Sequence, residues 1–216
     1  MCAYIADNEP VLLWTGRAML DGRASIPGRS DAIVLIAGLG GTYHHERIRG
    51  IAARLNDEGF ATIIADILTP DEQQFDARTG HFRVDLEFLA ERIGGVIGWM
   101  KRDELTRDLP IAIFATADAA AASVIAAMKN PVFSMALANL RIEQVRTRMA
   151  TLAVPTLILI DEVPPRHLPL ADLPETVHVE SIPALGSLLD DDLAAETVAR
   201  HLVEWYRLHV PSLAMA

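Results

Sequence analysis

Short apolar runs alternate with helical patterns along most of the chain. Residues 31–41 form a continuous apolar run that ends in glycines, which predicts a buried strand followed by a turn. In the next segment Ile48, Ile51 and Leu55 fall on one helical face, so a strand and a helix form one unit. The other predicted strands are residues 61–68, 111–114, 156–160 and 176–183, and the other predicted helices are residues 82–105, an alanine-rich segment up to residue 128, residues 141–152 and residues 191–210.

This alternation determines the expected architecture. Parallel strands need crossover connections, and helices of this length supply them, so we predict a mostly parallel, twisted sheet with helices on both faces. Residues 11–27 lack a helix between their apolar pieces and are predicted to form antiparallel N-terminal edge strands. The chain has 216 residues and no break rich in proline, glycine or serine, which predicts a single domain over residues 1–216.

The charge and composition of the chain exclude some classes of binding partner and indicate a cellular compartment. The net charge of −10 and the scattered arginines and lysines argue against a nucleic-acid partner, which would require a basic face. The single cysteine, Cys2, excludes an internal disulfide and fits a reducing compartment. The N-terminal sequence lacks the basic region and apolar block of a signal peptide, and no segment reads as a membrane span. We therefore expect a cytoplasmic protein that binds neither nucleic acid nor membrane.

One junction between a strand and a helix has the layout of a catalytic bend. Residues 109–128 run from an apolar strand through small residues into an alanine-rich helix, an arrangement that delivers a reactive side chain to a helix N-terminus. The bend itself, residues 115–119, reads Ala-Thr-Ala-Asp-Ala and contains neither serine nor cysteine. The pattern therefore predicts the bend without its usual nucleophile.

A glycine-rich loop follows the strand at residues 31–41. Gly38, Leu39 and Gly40 lie at the C-terminal end of a strand, where open α/β sheets bind ligands, so their backbone N–H groups can line a pocket. A dinucleotide site fits poorly, because Tyr43 stands where G-x-G-x-x-G needs a glycine, although Asp66 ends the next strand. The alternative is a turn that closes the unit without a ligand. We predict no cofactor.

Residues 37–93 resemble the small α/β-hydrolases of the dienelactone-hydrolase type. The resemblance rests on the loop AGLGG, on GFAT at the start of a strand, and on DILTP at the end of that strand, all at the spacing of the family. It continues through residues 108–121 to VPTLILI and VESIP, so it covers nearly the whole chain after about residue 20. The resemblance implies the α/β-hydrolase fold, in agreement with the sheet expected from the patterns.

The resemblance also locates the catalytic positions of the family, and none carries the expected residue. It puts the elbow serine at Ala117, the triad acid at Pro164 and the triad histidine at Ser187. Asp161 or Glu162 fits the acid position only after a shift of two or three residues. Because triad members act as a unit, we predict a catalytically inactive hydrolase-like protein that acts as a binding or interaction module.

Asp118 supports the alternative, a hydrolase of small esters, lactones or related substrates with an unusual nucleophile or base. Shifted by one residue, the bend resembles the elbow of haloalkane dehalogenases and epoxide hydrolases, in which aspartate is the nucleophile. Its partner would be His44, His81 or His167. The competing explanation is a carboxylate stabilised by the first turn of a helix. No metal site is predicted, because the consecutive residues His44 and His45 cannot both face one ion from a helix.

We expect the inherited cleft to bind a small molecule or a protein partner, and a homodimer remains open. The cleft is expected to be small and apolar, or filled by Leu39 or Leu185. It is also expected to prefer neutral groups over carboxylates, because Ala37 and Ala117 remove polar lining. The expected ligand contacts are Gly38, Leu39, Gly40, His44, Asp66, Ala117 and Asp118.

Overall fold

Eight strands form one sheet at the centre of the protein. The computed structural model of the chain describes residues 5–161, 173–188 and 190–211. The strands are β1 (Ile5–Trp14), β2 (Met19–Ile26), β3 (Ala32–Gly38), β4 (Phe60–Asp66), β5 (Ile111–Thr116), β6 (Ser134–Ala138), β7 (Thr156–Asp161) and β8 (Val177–Ile182). Their order across the sheet is β1-β2-β4-β3-β5-β6-β7-β8. The pairs β1–β2 and β2–β4 are antiparallel and the others are parallel, so the predicted strand directions are confirmed.

Helices cover both faces of this sheet. They are α1 (Glu46–Asp57), α2 (Pro70–Thr79), α3 (Leu86–Met100), α4 (Ala117–Ala127), the short α5 (Arg146–Met149) and α6 (Asp192–His209). α1 packs beside α6 over one face, and α3 packs beside α4 over the other. No helix within the described ranges is both long and apolar enough to span a bilayer.

Alternate residues of each strand point to opposite faces of the sheet, so the core consists of two apolar clusters, one on each face. β3 is buried along its whole length, which explains its continuous apolar sequence. Ile33 and Leu35 point into the apolar cluster under α3 and α4, whereas Val34 and Ile36 point into the cluster under α1 and α6. The central strands are therefore held from both sides, which fixes the positions of the loops at their ends.

α4 is built almost entirely from small residues. Residues 119–122 are alanines without exposed surface, and the helix lies against α3 and β5. The hydroxyl of Ser123 is also buried and donates a hydrogen bond to the carbonyl oxygen of Ala119 over 2.8 Å. Small side chains allow the helix to approach the sheet closely, so the N-terminus of α4 and the bend before it are rigidly placed.

One predicted helix is shorter in the structure. The segment at residues 141–152 forms a 3-10 turn (Ile142–Gln144) and then α5, because Val145 leaves helical geometry at φ −129°. Val145 and Met149 are nevertheless buried, as is the start of the turn. The 3-10 turn and α5 together therefore bury the same apolar residues whose spacing predicted one continuous helix.

α2 was not predicted from the sequence. Thr69 caps it by accepting a hydrogen bond from the N–H of Glu72, and the Glu72 carboxylate accepts one from the N–H of Thr69. Pro70 occupies the first helical position, where its missing N–H costs nothing. Asp76 is the buried residue of this polar helix, so no apolar stripe reveals it. The capping box was the available signal.

Candidate binding cleft at the carboxyl ends of the strands

The bend between β5 and α4 has the backbone of a nucleophile elbow. Thr116 is extended at φ −125°, and Ala117 then adopts a left-handed conformation at φ +52° before the helix continues. This region is rarely occupied by residues other than glycine and costs an alanine about 1–2 kcal/mol. The sharp, strained turn from strand to helix is the geometry that exposes a catalytic serine in α/β-hydrolases. In this protein the turn presents a methyl group.

The glycine-rich loop after β3 is held in place by a buried carboxylate. Asp66, at the end of β4, accepts hydrogen bonds from the N–H groups of Gly41 over 2.7 Å and Thr42 over 2.8 Å. Burial raises the pKa of the Asp66 carboxyl, and the hydrogen bonds from Thr42 and Gly41 oppose this shift. Both oxygens of this expected ligand contact are therefore committed to the loop, and Asp66 acts as a positioning residue.

Gly38 supports the same loop from the end of β3. A Cβ atom on Gly38 would lie 1.9 Å from the hydroxyl oxygen of Thr42 and 2.8 Å from its Cβ, so a larger residue at this position would displace Thr42. The N–H of Ile67 also donates to the carbonyl oxygen of Gly38 over 2.8 Å. The loop is thus fixed to the ends of β3 and β4, beside the bend at Ala117.

An open cleft of about 460 Å³ lies between the loop and the bend. This volume falls within the range of about 300–1,000 Å³ that is usual for small-molecule sites. The expectation of a small or filled cleft is therefore wrong, because Leu39 forms a wall of the cleft and Leu185 is buried in the cluster under α1 and α6. The lining residues are Leu39, Gly40, Leu68, Gln73, Asp76, Ala77, Arg83, Ala117 and Asp118.

Asp118 forms an ion pair in the first turn of α4. Its carboxylate accepts a hydrogen bond from Nη2 of Arg141, which lies in the loop after β6. The side chain of Asp118 is 12 % exposed and that of Arg141 is 57 % exposed. The carboxylate therefore lies below the surface, whereas the cation that neutralises it faces solvent.

Two of the three histidines considered as partners of Asp118 pack against aromatic side chains. His44 is exposed and its ring centroid lies 4.0 Å from that of Tyr43. His81 is exposed and packs edge-on against Phe75 and Phe82. Within the described part of the chain, neither histidine makes a hydrogen bond or ion pair with Asp118. His167 lies outside the described residues.

A second ion pair in the cleft was not anticipated from the sequence. Asp76 accepts hydrogen bonds from Nε of Arg83 over 2.9 Å and from the N–H groups of Phe82 and Arg83 over 2.7 and 3.1 Å, and Nη2 of Arg83 lies 2.8 Å from the same carboxylate. Burial raises the pKa of Asp76, but the hydrogen bonds from Arg83 and Phe82 outweigh it and lower the pKa overall. The Asp76 side chain is 3 % exposed and that of Arg83 is 47 % exposed, so Arg83 is a fixed cation facing the cleft.

The loops after β7 and β8 are joined by Asp161. Its carboxylate accepts a hydrogen bond from the N–H of Gly186 over 3.0 Å, in the 3-10 turn that ends at Ser187. Ala184, which precedes this turn, is left-handed at φ +55°. Asp161 therefore supports the loop that contains Ser187, where the resemblance predicted the triad histidine. Pro164, the predicted acid position, lies outside the described residues.

The predicted ligand contacts divide into two groups. Leu39, Gly40, Ala117 and Asp118 line the cleft. The other three, Gly38, His44 and Asp66, are not among the lining residues. Gly38 and Asp66 instead hold the glycine-rich loop that borders the cleft.

Comparison with solved structures identifies the fold. The dienelactone hydrolase of Anabaena variabilis superposes with a TM-score of 0.84 at 26 % identity, over 94 % of this chain and 98 % of that one. An α/β serine hydrolase homologue from Coxiella burnetii gives a TM-score of 0.70 at 17 % identity, over 93 % of this chain and 100 % of that one. A lidless α/β serine hydrolase from Xanthomonas campestris gives 0.72 at 13 % identity, over 97 % and 98 %. The chain therefore has the α/β-hydrolase fold.

Two proteins with similar sequences carry the name of a different activity. Two Mycobacterium tuberculosis proteins that carry the provisional name phosphoribosyl transferase are 28 % identical over 211 residues. The match covers 94 % of this chain but 47 % of each relative, so the chain spans about half of their length. No protein-family model matches the chain.

Proposed function

We propose that this α/β-hydrolase fold has lost hydrolysis and binds a small organic anion in the cleft beside Ala117. The observation that supports the proposal most directly is the left-handed alanine at the elbow. A methyl group cannot attack a carbonyl carbon, so the bend retains its geometry without its nucleophile. The positions of the triad acid and histidine, Pro164 and Ser187, likewise carry side chains that cannot act as acid or base.

The charges at the cleft favour an anion. The two carboxylates, Asp76 and Asp118, are largely buried behind their partners, whereas the side chain of Arg83, which lines the cleft, and that of Arg141 are about half exposed. An approaching ligand therefore meets positive charge first, and a guanidinium fork fits a carboxylate closely. Leu39, together with Leu68 and Ala77, offers an apolar wall for the rest of the ligand. This arrangement replaces the expectation of a neutral ligand.

Hydrolysis through Asp118 is less compatible with these contacts. Asp118 stands one residue beyond the left-handed position, and its carboxylate is already bound by Arg141. A nucleophilic aspartate also needs a base to activate water in the second step. The exposed rings of His44 and His81 pack against aromatic neighbours instead.

Phosphoribosyl transfer, which the name of the mycobacterial relatives suggests, lacks support in the glycine-rich loop. A phosphate cradle requires free backbone N–H groups, and those of Gly41 and Thr42 donate to Asp66. The chain also corresponds to about half of those relatives, so we do not extend their activity to it.

The proposal is tested by measuring ester hydrolysis and anion binding on the same samples. With p-nitrophenyl acetate, we expect the wild type and Asp118→Asn to turn over at the rate of an unrelated control protein. By calorimetry, we expect benzoate to bind the wild type and to bind Arg83→Gln about tenfold or more weakly, because a charged hydrogen bond is lost. Arg78→Gln is the matched control, since Arg78 is an exposed residue of α2 outside the cleft lining. Hydrolysis above background that Asp118→Asn abolishes would refute the proposal.

A further inference from the structure

A second cavity, of about 360 Å³, lies between α1 and the part of the sheet formed by the neighbouring strands β2 and β4. Its floor contains Arg23 and Ser25 of β2, which pair across the sheet with Ile64 and Thr62 of β4. Arg49 of α1 forms part of the opposite wall. The cavity shares no lining residue with the cleft at Ala117, so it is a separate place in the fold.

Two arginines of this cavity have donors without acceptors. The Nε atoms of both Arg23 and Arg49 are buried and make no hydrogen bond within the described part of the protein. Arg23 uses Nη1 to donate to the carbonyl oxygen of Asn8 over 2.6 Å. The guanidinium of Arg49 has no hydrogen bond or ion pair to any described residue. Buried polar groups are almost always bonded, so these two donors in one cavity are available to an acceptor from a ligand or from water.

Glu46 and Asn56, two other polar residues of the cavity, do not supply this acceptor. Glu46 is the acidic residue among those that line it, but its side chain is 83 % exposed and lies 4.0 Å from Arg47. The amide of Asn56 donates to the carbonyl oxygen of Phe60 over 2.9 Å and to the hydroxyl of Thr62 over 3.1 Å. Among the described side chains that line the cavity, two arginines face one glutamate, and that glutamate makes no ion pair with either arginine.

We propose that this cavity binds a small oxyanion-bearing molecule, a phosphate monoester or a carboxylate, with the oxyanion between Arg23 and Arg49. Guanidinium groups present planar forks of N–H donors that match phosphate and carboxylate oxygens. The volume exceeds that of the oxyanion alone, so a polar body of a few further atoms fits beside Ala24 and Ala53. The site is distinct from the proposed anion site at Arg83.

The proposal is tested by calorimetry on the full chain at constant ionic strength, with inorganic phosphate and succinate as separate probes. We expect at least one probe to bind the wild type at millimolar or lower concentration and to bind Arg49→Gln about tenfold or more weakly. The probe that binds more tightly identifies the oxyanion as phosphate or carboxylate.

Ala53→Glu gives a second test that keeps both arginines. Ala53 is an exposed lining residue one helical turn after Arg49, so the new carboxylate would pair with Arg49 and repel the ligand without disturbing the core. We expect the same tenfold or greater loss. Arg54→Gln, on the same helix but paired with Glu58 outside the cavity, should bind within twofold of the wild type.

Three results would overturn the proposal. The first is the absence of binding of either probe to the folded wild type. The second is undiminished binding of the preferred probe to a double variant with Arg23→Gln and Arg49→Gln. The third is binding that is lost in Arg83→Gln but kept in Arg49→Gln, which would assign the anion to the cleft at Ala117 instead.

Discussion

Replacement of Asp76 by asparagine tests the contact that fixes Arg83 in the cleft. An asparagine can keep one oxygen toward the N–H groups of Phe82 and Arg83, but its amide NH₂ would then face the guanidinium of Arg83. A charge-assisted hydrogen bond of 2.9 Å and an ion-pair contact of 2.8 Å are lost at a buried position and replaced by a donor facing a donor. Because Arg83 is half exposed, water recovers part of this loss, and we expect a destabilisation of about 2–4 kcal/mol.

Urea unfolding followed by circular dichroism measures this change. A protein of this size has about 5–15 kcal/mol of stability, so Asp76→Asn should remain folded and show a lower midpoint with an unchanged slope. Asp71→Asn is the matched control, because Asp71 is an exposed residue of the same helix and should cost about 1 kcal/mol or less. A loss below about 0.5 kcal/mol for Asp76→Asn would show that the Arg83 ion pair contributes nothing.

The same pair gives a dependence on pH whose sign follows from the lowered pKa of Asp76. A carboxyl with a depressed pKa in the folded state contributes stability that is fully present above its ordinary value of 3.8. That contribution is lost as the pH falls below 3.8 and through the folded-state pKa. The difference between the wild type and Asp76→Asn should therefore be constant from pH 7 to about pH 5 and shrink in more acidic solution. A difference that grows on acidification would contradict the assignment.

Three further outcomes follow from the bend and the core. Ala117→Ser alone should leave ester hydrolysis at background, because no histidine of the described residues is hydrogen-bonded at the bend, and rapid labelling by a fluorophosphonate would contradict this by revealing a base. Tyr206→Phe should cost about 1–2 kcal/mol in urea unfolding, because the buried phenol donates to a backbone carbonyl of β5 over 2.7 Å. Gly95→Ala should lower the thermal midpoint, since its Cβ would lie 2.5 Å from Cβ of Thr15, whereas Gly50→Ala meets open space and should raise it.

The sheet could be predicted from the sequence because the burial of the central strands is visible in their residue pattern. β3 and β4 are covered on both faces, so they read as continuous apolar runs bounded by turn residues. α2 carries no such signal, because it lies at the rim of the cleft and buries a carboxylate in place of an apolar stripe. Its capping box at Thr69 was a local and specific sign of a helix start.

Some residues of the candidate site could also be predicted from local sequence, whereas others depend on contacts between distant parts of the chain. Ala117 could be identified from the local layout of strand, bend and helix. The role of Asp66 could not, since its partners Gly41 and Thr42 lie about 25 residues earlier in the chain. Arg83 reaches the cleft only because the turn after α2 folds back over Asp76. No periodicity in the sequence encodes such a contact.

The left-handed Ala117 has a consequence for the evolvability of this scaffold. A catalytic elbow requires a left-handed backbone conformation that residues other than glycine rarely adopt. Ala117 already has this conformation, and the tightly packed α4 follows it directly. Under the proposed function, what the bend lacks is a reactive side-chain atom at Ala117, which lines the open cleft. A laboratory selection for esterase activity that starts from this protein would therefore need to change functional groups without remodelling the main chain.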